Sequence, residues 1–266
     1  MHQLVSFNNK ILSAADASIS VVSSVALYGK GIFTTIAVYD GKPFLWEKHW
    51  RRLRVSSVNL NIDLSDFSEV DTNAALVKLL LQNGGRNGRS RITFFDESSS
   101  SIWPFESDRK TSLLITTADA REIPENFRLT VSPYLINSTS PLAGIKSGNY
   151  LEKILTLDEA KNRGFDEAVC LNERGEIASA CMANLFWLTD GKLFTPSLKT
   201  GCLAGTTREY LMENLECLEI VQGIDALKKA DSIFLTSAGI GVLQAAEFDG
   251  RAFKTQPYEI LELLPK

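Results

Sequence analysis

Residues 142–150 read Leu142-Ala143-Gly144-Ile145-Lys146-Ser147-Gly148-Asn149-Tyr150. A single lysine stands among small residues here, between an apolar stretch and a helical pattern that runs from Tyr150 to about Asn162 and closes at Gly164. Most lysines are solvated. One flanked by glycine and serine beside an Asn-Tyr pair can instead be desolvated enough to act as an amine nucleophile and form a Schiff base. The residues alone leave both readings open.

Outward from this stretch the chain reads as alternating strands and helices. Downstream, strands are expected at Glu167–Leu171 and Ile177–Cys181. A hairpin spans Leu185–Phe194 around Asp190-Gly191, a helix opens near Thr206, and further strands are expected at Ser232–Thr236, Val242–Phe248 and Arg251–Lys254. Upstream, Arg128–Tyr134 is a strand, and the polar run from Thr117 to Asn126 reads as a linker. Before it, strands are expected at Gln3–Phe7, Gly31–Tyr39, Phe44–Trp46, Arg91–Phe95 and Ser112–Thr117, with helices over Glu47–Leu60 and Asp71–Gln82. The expectation is a mixed α/β (α+β) fold in two domains. A small N-terminal α/β domain covers 1–118, and a larger C-terminal one covers 119–266 and carries Lys146.

Composition narrows the chemistry. The 266 residues hold 28 basic and 32 acidic side chains, a formal charge of -4, with 44% hydrophobic and 23% charged residues, which is ordinary for a soluble globular protein and argues against nucleic acid as a partner. No window approaches 18 uncharged apolar residues, so no membrane span is expected, and a cytoplasmic location follows. Cys170, Cys181, Cys202 and Cys217 form no CxxC pair, and His2 and His49 are the chain's two histidines. Zinc and other histidine-rich metal centres are therefore not expected.

Several stretches suit a phosphate. Gly29-Lys30-Gly31-Ile32-Phe33-Thr34 lacks the last glycine of a dinucleotide fingerprint and precedes a strand. Gly205-Thr206-Thr207-Arg208 puts a glycine and two hydroxyls at a helix start, which is either a plain capped terminus or a phosphate cradle. The same two readings apply to Thr236-Ser237-Ala238-Gly239. His49 and Arg52, three residues apart, share a helix face, where Arg52 is either a surface arginine or a phosphate fork.

In order and spacing these pieces resemble the fold-type IV pyridoxal-phosphate enzymes, the class IV aminotransferase family. It contains branched-chain aminotransferases, D-amino acid aminotransferases and 4-amino-4-deoxychorismate lyases. The resemblance covers nearly the whole chain, through Gly29–Thr35, Asp40-Gly41-Lys42-Pro43, His49-x-x-Arg52-Leu53, Gly144-Ile145-Lys146 with Asn149-Tyr150, Asp166-Glu167-Ala168, Ala183-Asn184-Leu185-Phe186 and Gly205–Arg208. It implies that Lys146 binds pyridoxal 5'-phosphate and serves as acid and base. Arg52, Thr206, Thr207, Thr236 and Ser237 would hold the phosphate, Tyr150 would reach the phenolic oxygen, and Phe33 would line the substrate side. It also implies a homodimer with the active site between the lobes. Trp46, Trp50 and Trp103 support this as apolar bulk beyond what a small lobe buries.

One position departs from the family pattern. Where its members usually carry a glutamate facing the pyridine nitrogen, Gly175-Glu176-Ile177-Ala178-Ser179 puts Ser179. A hydroxyl leaves that nitrogen largely neutral and the electron sink weaker, which suits a lyase better than a transaminase. Glu173 or Glu176 can substitute only through a shifted turn, and strand alternation gives Glu176 the wrong offset. Phe33-Thr34-Thr35, Leu142–Lys146 and Cys181–Trp187 look like the lyase subgroup, with Thr34 or Thr35 positioning a water or donating a proton. The expectation is 4-amino-4-deoxychorismate lyase activity in folate biosynthesis. The alternatives are an aminotransferase of the same fold and a binding protein that has lost catalysis.

Overall fold

The computed structural model describes residues 1–98 and 110–265, so Trp103 lies outside the described residues. The chain forms two compact units, Met1–Arg121 with Ile145–Asn149, and Glu122–Gly144 with Tyr150–Lys266.

The first unit contains β1 (Leu4–Phe7), β2 (Lys10–Ser13), α1 (Ser24–Tyr28), β3 (Gly31–Tyr39), β4 (Lys42–Pro43), α2 (Trp46–Asn59), α3 (Glu69–Asn83), β5 (Gly88–Asp96) and β6 (Thr111–Asp119). Its strands form one antiparallel sheet in the order β2-β1-β6-β5-β3-β4. Period-two alternation on β3 sends Ile32, Ile36 and Val38 to one face, where they join Ile92, Phe94, Leu113 and Ile115 in a core closed by Trp50 and Leu53 of α2 and Leu76 and Leu79 of α3. Asp40 and Gly41 both have positive φ, 48° and 74°, the two-residue turn whose twist suits a hairpin. Helix α3 begins where the Ser68 hydroxyl accepts from Asp71 N and ends at left-handed Gly84.

Phe44–Trp46 is not the expected return strand. The strand stops at Pro43, Leu45 turns left-handed (φ 56°), and the helix starts at Trp46. One helical turn brings the Trp46 and Trp50 rings together at 6.1 Å within the core. These two tryptophans are thus buried inside the unit and give no support to a dimer.

The second unit contains β7 (Arg128–Val131), α4 (Leu151–Asn162), β8 (Glu167–Leu171), β9 (Ile177–Ala180), β10 (Asn184–Thr189), β11 (Lys192–Pro196), α5 (Thr206–Asn214), β12 (Cys217–Ile220), α6 (Asp225–Lys229), β13 (Ser232–Ser237), β14 (Gly241–Gln244), β15 (Glu247–Phe248) and β16 (Arg251–Ala252). Two five-stranded sheets form, β12-β11-β10-β13-β14 and β16-β15-β7-β8-β9. Leu129, Val169, Leu185, Trp187, Ile233, Leu235 and Phe248 share one apolar cluster drawn from both. The strand expected over Val242–Phe248 is split because the chain changes sheets within it. Ala245 N donates to Ile233 O and Ala246 N to Phe127 O, so β14 pairs with β13 while β15 pairs with β7.

The Lys146 segment does not belong to the C-terminal unit, as the sequence suggested. Phe33 N donates to Lys146 O at 2.9 Å, Gly148 N donates to Gly31 O at 2.7 Å, and Ile32 and Ser147 form an antiparallel bridge. Backbone pairing to β3 therefore draws Ile145–Asn149 into the first unit.

Candidate active site

Two glycines show why the quoted motifs are built as they are. A Cβ on Gly148 would sit 2.6 Å from the carbonyl oxygen of Gly29, and one on Gly205 would sit 2.0 Å from Asn184 Oδ1. The first is blocked by backbone, and the second requires the Asn184 amide, which donates to Leu203 O, to move. Gly148 lets the lysine segment lie against β3, and Gly205 lets α5 start beside β10.

In the first unit, Lys146 is half-buried, with Nζ 4.5 Å from the centre of the Phe33 ring. Phe33 is buried, and the Arg91 guanidinium carbon lies 3.6 Å from the same ring centre. Thr35 shares Phe33's face by strand alternation and pairs with Arg91 across β3 and β5. Thr34 points the other way, toward α2, and is fully buried. Its Oγ1 lies 2.6 Å from His49 Nδ1 and accepts from Arg52 at 2.7 Å. Of the two threonines expected to act, Thr34 is thus turned to His49 and Arg52, and Thr35 to the face of Phe33 and Arg91. Burial first, then the neighbouring cations Arg52 and Lys146, holds the His49 pKa well below the usual imidazole value.

Arg91 carries no signal in the sequence, because an arginine in a strand looks like any solvated residue. Only its register opposite Thr35 shows that it shares the Phe33 face. Its Nε donates to Thr93 Oγ1 at 3.2 Å.

In the second unit, α5 packs against β13. Gly205 at the N-cap supplies no side-chain cap, and Thr206 and Thr207 follow it, both buried. Thr236 Oγ1 is buried with no hydrogen-bond partner among the described residues. A buried orphan hydroxyl is costly, and together with uncapped helix amides and two more hydroxyls it forms a donor set that fits a phosphate. Ser237 follows Thr236 at the end of β13 and is half-buried. Tyr150 is half-buried at the start of α4.

Ser179 is buried on β9 opposite Cys170, on the sheet face that also carries Ala168 and Cys181. A hydrogen bond between the two thiols holds Cys170 below the ordinary thiol range and pushes Cys181 above it. The nearby carboxylates are committed elsewhere. Glu173 bonds Ser138, which holds its carboxyl down at about 2, and Glu176 bonds Arg174 and Asn172. Glu167 accepts from Met182 N at 2.7 Å and lies on the opposite face of the strand from Ser179.

Among the described residues no group of three or more His, Cys, Asp or Glu side chains can hold a metal, and no helix is long and apolar enough to cross a membrane.

Fold and donor set together define the mixed α/β architecture of the fold-type IV pyridoxal-phosphate enzymes. The chain matches the model of the amino-transferase class IV family over residues 31–248 and belongs to that family, whose members use pyridoxal 5'-phosphate. It is 27% identical over 270 residues to the aminodeoxychorismate lyase of Bacillus subtilis, covering 98% of this chain and 92% of that protein. It is 25% identical over 262 residues to the branched-chain-amino-acid aminotransferase of Salmonella typhimurium, covering 92% and 84%. The solved Escherichia coli branched-chain amino acid aminotransferase shares the fold, with a TM-score of 0.87 at 24% identity over 95% of this chain and 88% of that one.

Proposed function

We propose that this chain is a lyase that uses pyridoxal 5'-phosphate to split 4-amino-4-deoxychorismate into 4-aminobenzoate and pyruvate, a reaction of folate biosynthesis. The single observation that carries the lyase reading is the face around Ser179, where among the described residues the neighbouring polar side chains are thiols and the nearby carboxylates are committed elsewhere. The similarity to the Bacillus subtilis lyase points the same way.

Lys146 would hold the cofactor through its amine, and Arg52, Thr206, Thr207, Thr236 and Ser237 would hold its phosphate. Tyr150 would meet the phenolic oxygen and Ser179 the ring nitrogen. When bound, the cofactor supplies the electron sink. Lys146 then takes the proton from the ring carbon that bears the amino group, and the carbon–oxygen bond of the enolpyruvyl ether breaks. The released enolpyruvyl carbon takes a proton to become pyruvate, while the ring becomes aromatic; no water is consumed. We assign the proton delivery to Thr35, which shares Phe33's face. Arg91 on that face would pair with a substrate carboxylate, and Phe33 would exclude water from the reacting carbon.

The test mixes purified protein with 4-amino-4-deoxychorismate and follows pyruvate through a coupled dehydrogenase. Wild type should release pyruvate and 4-aminobenzoate in equal amounts, and Lys146→Ala should release neither. A Lys146→Ala variant with full activity sinks the mechanism.

The Salmonella typhimurium relative favours a second reading, an aminotransferase. An amino donor would then convert the cofactor's absorption to that of its amine form without pyruvate release from aminodeoxychorismate. For either reading we propose a homodimer. Leu151, Ile154 and Leu155 are exposed along α4, an apolar row that a second copy would cover.

A further inference from the structure

We propose that Thr34 is a positioning residue which, joined to His49, fixes the guanidinium of Arg52 for a phosphate group. A guanidinium only donates, so at 2.7 Å the Thr34 oxygen accepts from Arg52. In the arrangement proposed, the hydroxyl proton runs to His49 Nδ1 at 2.6 Å, with that nitrogen bare and the ring proton on Nε2. His49 is 1% exposed, and the charged groups facing it are Arg52 from its own helix and Lys146 from the segment paired to β3. A protonated imidazole would place a third cation there. The chain then runs from Arg52 to Thr34 to His49, and the arginine fork is held by a hydroxyl from the sheet. The two flanking arginines on the solvent side of the helix, Arg51 and Arg54, are exposed.

The role toward phosphate rests on the assignment of Arg52 made above, whereas the hydrogen-bond order does not. With two histidines in the chain, a proton–nitrogen correlation spectrum of the full-length protein contains two imidazoles, and His2→Gln assigns them. His49 should appear neutral with its proton on Nε2 at pH 7. A proton on Nδ1, or an imidazolium at pH 7, overturns the proposal even if no variant folds. Absorption titrations with pyridoxal 5'-phosphate and with pyridoxal then read the phosphate contribution. Thr34→Val should weaken the phosphate form about tenfold and leave pyridoxal unchanged, and Thr34→Ser should restore the wild-type preference. Equal affinity of Thr34→Val and wild type for pyridoxal 5'-phosphate overturns the positioning role. A wild type that binds pyridoxal as tightly as its phosphate overturns the Arg52 assignment and this role with it, while the lyase reading is decided separately by pyruvate release.

Discussion

Lys146 and Phe33 are joined twice: the backbone N–H of Phe33 donates to the carbonyl of Lys146 at 2.9 Å, and the lysine Nζ lies 4.5 Å from the centre of the phenyl ring. The first contact places the segment and the second aims the amine. A cation on an aromatic face gains about 0.5–2 kcal/mol, depending on desolvation. Phe33→Leu keeps the backbone bond and loses the ring. Pyruvate release should fall about three- to tenfold, and the protein should still take up the cofactor, which absorption spectra would check.

Gly148 allows that backbone pairing. Its substitution by alanine drives a methyl group against the carbonyl of Gly29 at 2.6 Å, backbone against backbone. No side-chain rotation relieves the contact, so the lysine segment must lift from β3. Gly148→Ala should cost about 1–3 kcal/mol of stability by denaturant unfolding. It should also abolish pyruvate release, because the amine moves with its segment. Wild-type stability and activity in this variant would show that the pairing is unimportant.

At the start of β3, Lys30 pairs with Asp96 at 2.7 Å. Burial pushes the Asp96 carboxyl up, but hydrogen bonds from Lys30 and Ser98 outweigh it and hold the pKa below the ordinary value. A carboxylate whose folded pKa is depressed contributes stability above its unfolded pKa and loses it as pH falls through the folded one. Asp96→Asn should therefore melt lower than wild type at pH 7. The difference should close as pH drops below about 4. Thermal melts across that range check it, and a gap that does not narrow as pH falls would refute the pairing's contribution.

Much of this architecture is legible in the sequence where local rules dominate. Strands β3 and β8 run over the residues their β-rich patterns mark, and Asp40-Gly41, Asp190-Gly191 and Asp249-Gly250 all adopt the positive φ values their turns demand. What stays hidden depends on partners distant in the chain. The unit joined by Lys146 is decided by two backbone bonds to a strand more than a hundred residues earlier. Alternation tells that Thr34 and Thr35 face opposite ways, but not which of them α2 will cover. Val242–Phe248 holds no Gly, Pro, Asn, Asp or Ser to mark a break, yet β13 claims its first half and β7 its second. Arg91 becomes informative only once the register puts it opposite Thr35.

Thr236 offers the cleanest separation of cofactor binding from folding. Its hydroxyl is buried without a hydrogen-bond partner among the described residues, and such a group costs about 1–3 kcal/mol until something bonds it. Thr236→Val removes the hydroxyl and keeps the branched shape that β13 favours. In protein stripped of cofactor the variant should melt no lower than wild type, and higher if the orphan is as costly as its burial implies. On adding pyridoxal 5'-phosphate, wild type should gain more stability than the variant, since ligand binding raises stability in proportion to the logarithm of its affinity. Parallel melts with and without cofactor give both numbers. A variant that loses stability without cofactor and gains as much as wild type with it would place the Thr236 hydroxyl in the fold and outside the phosphate cradle.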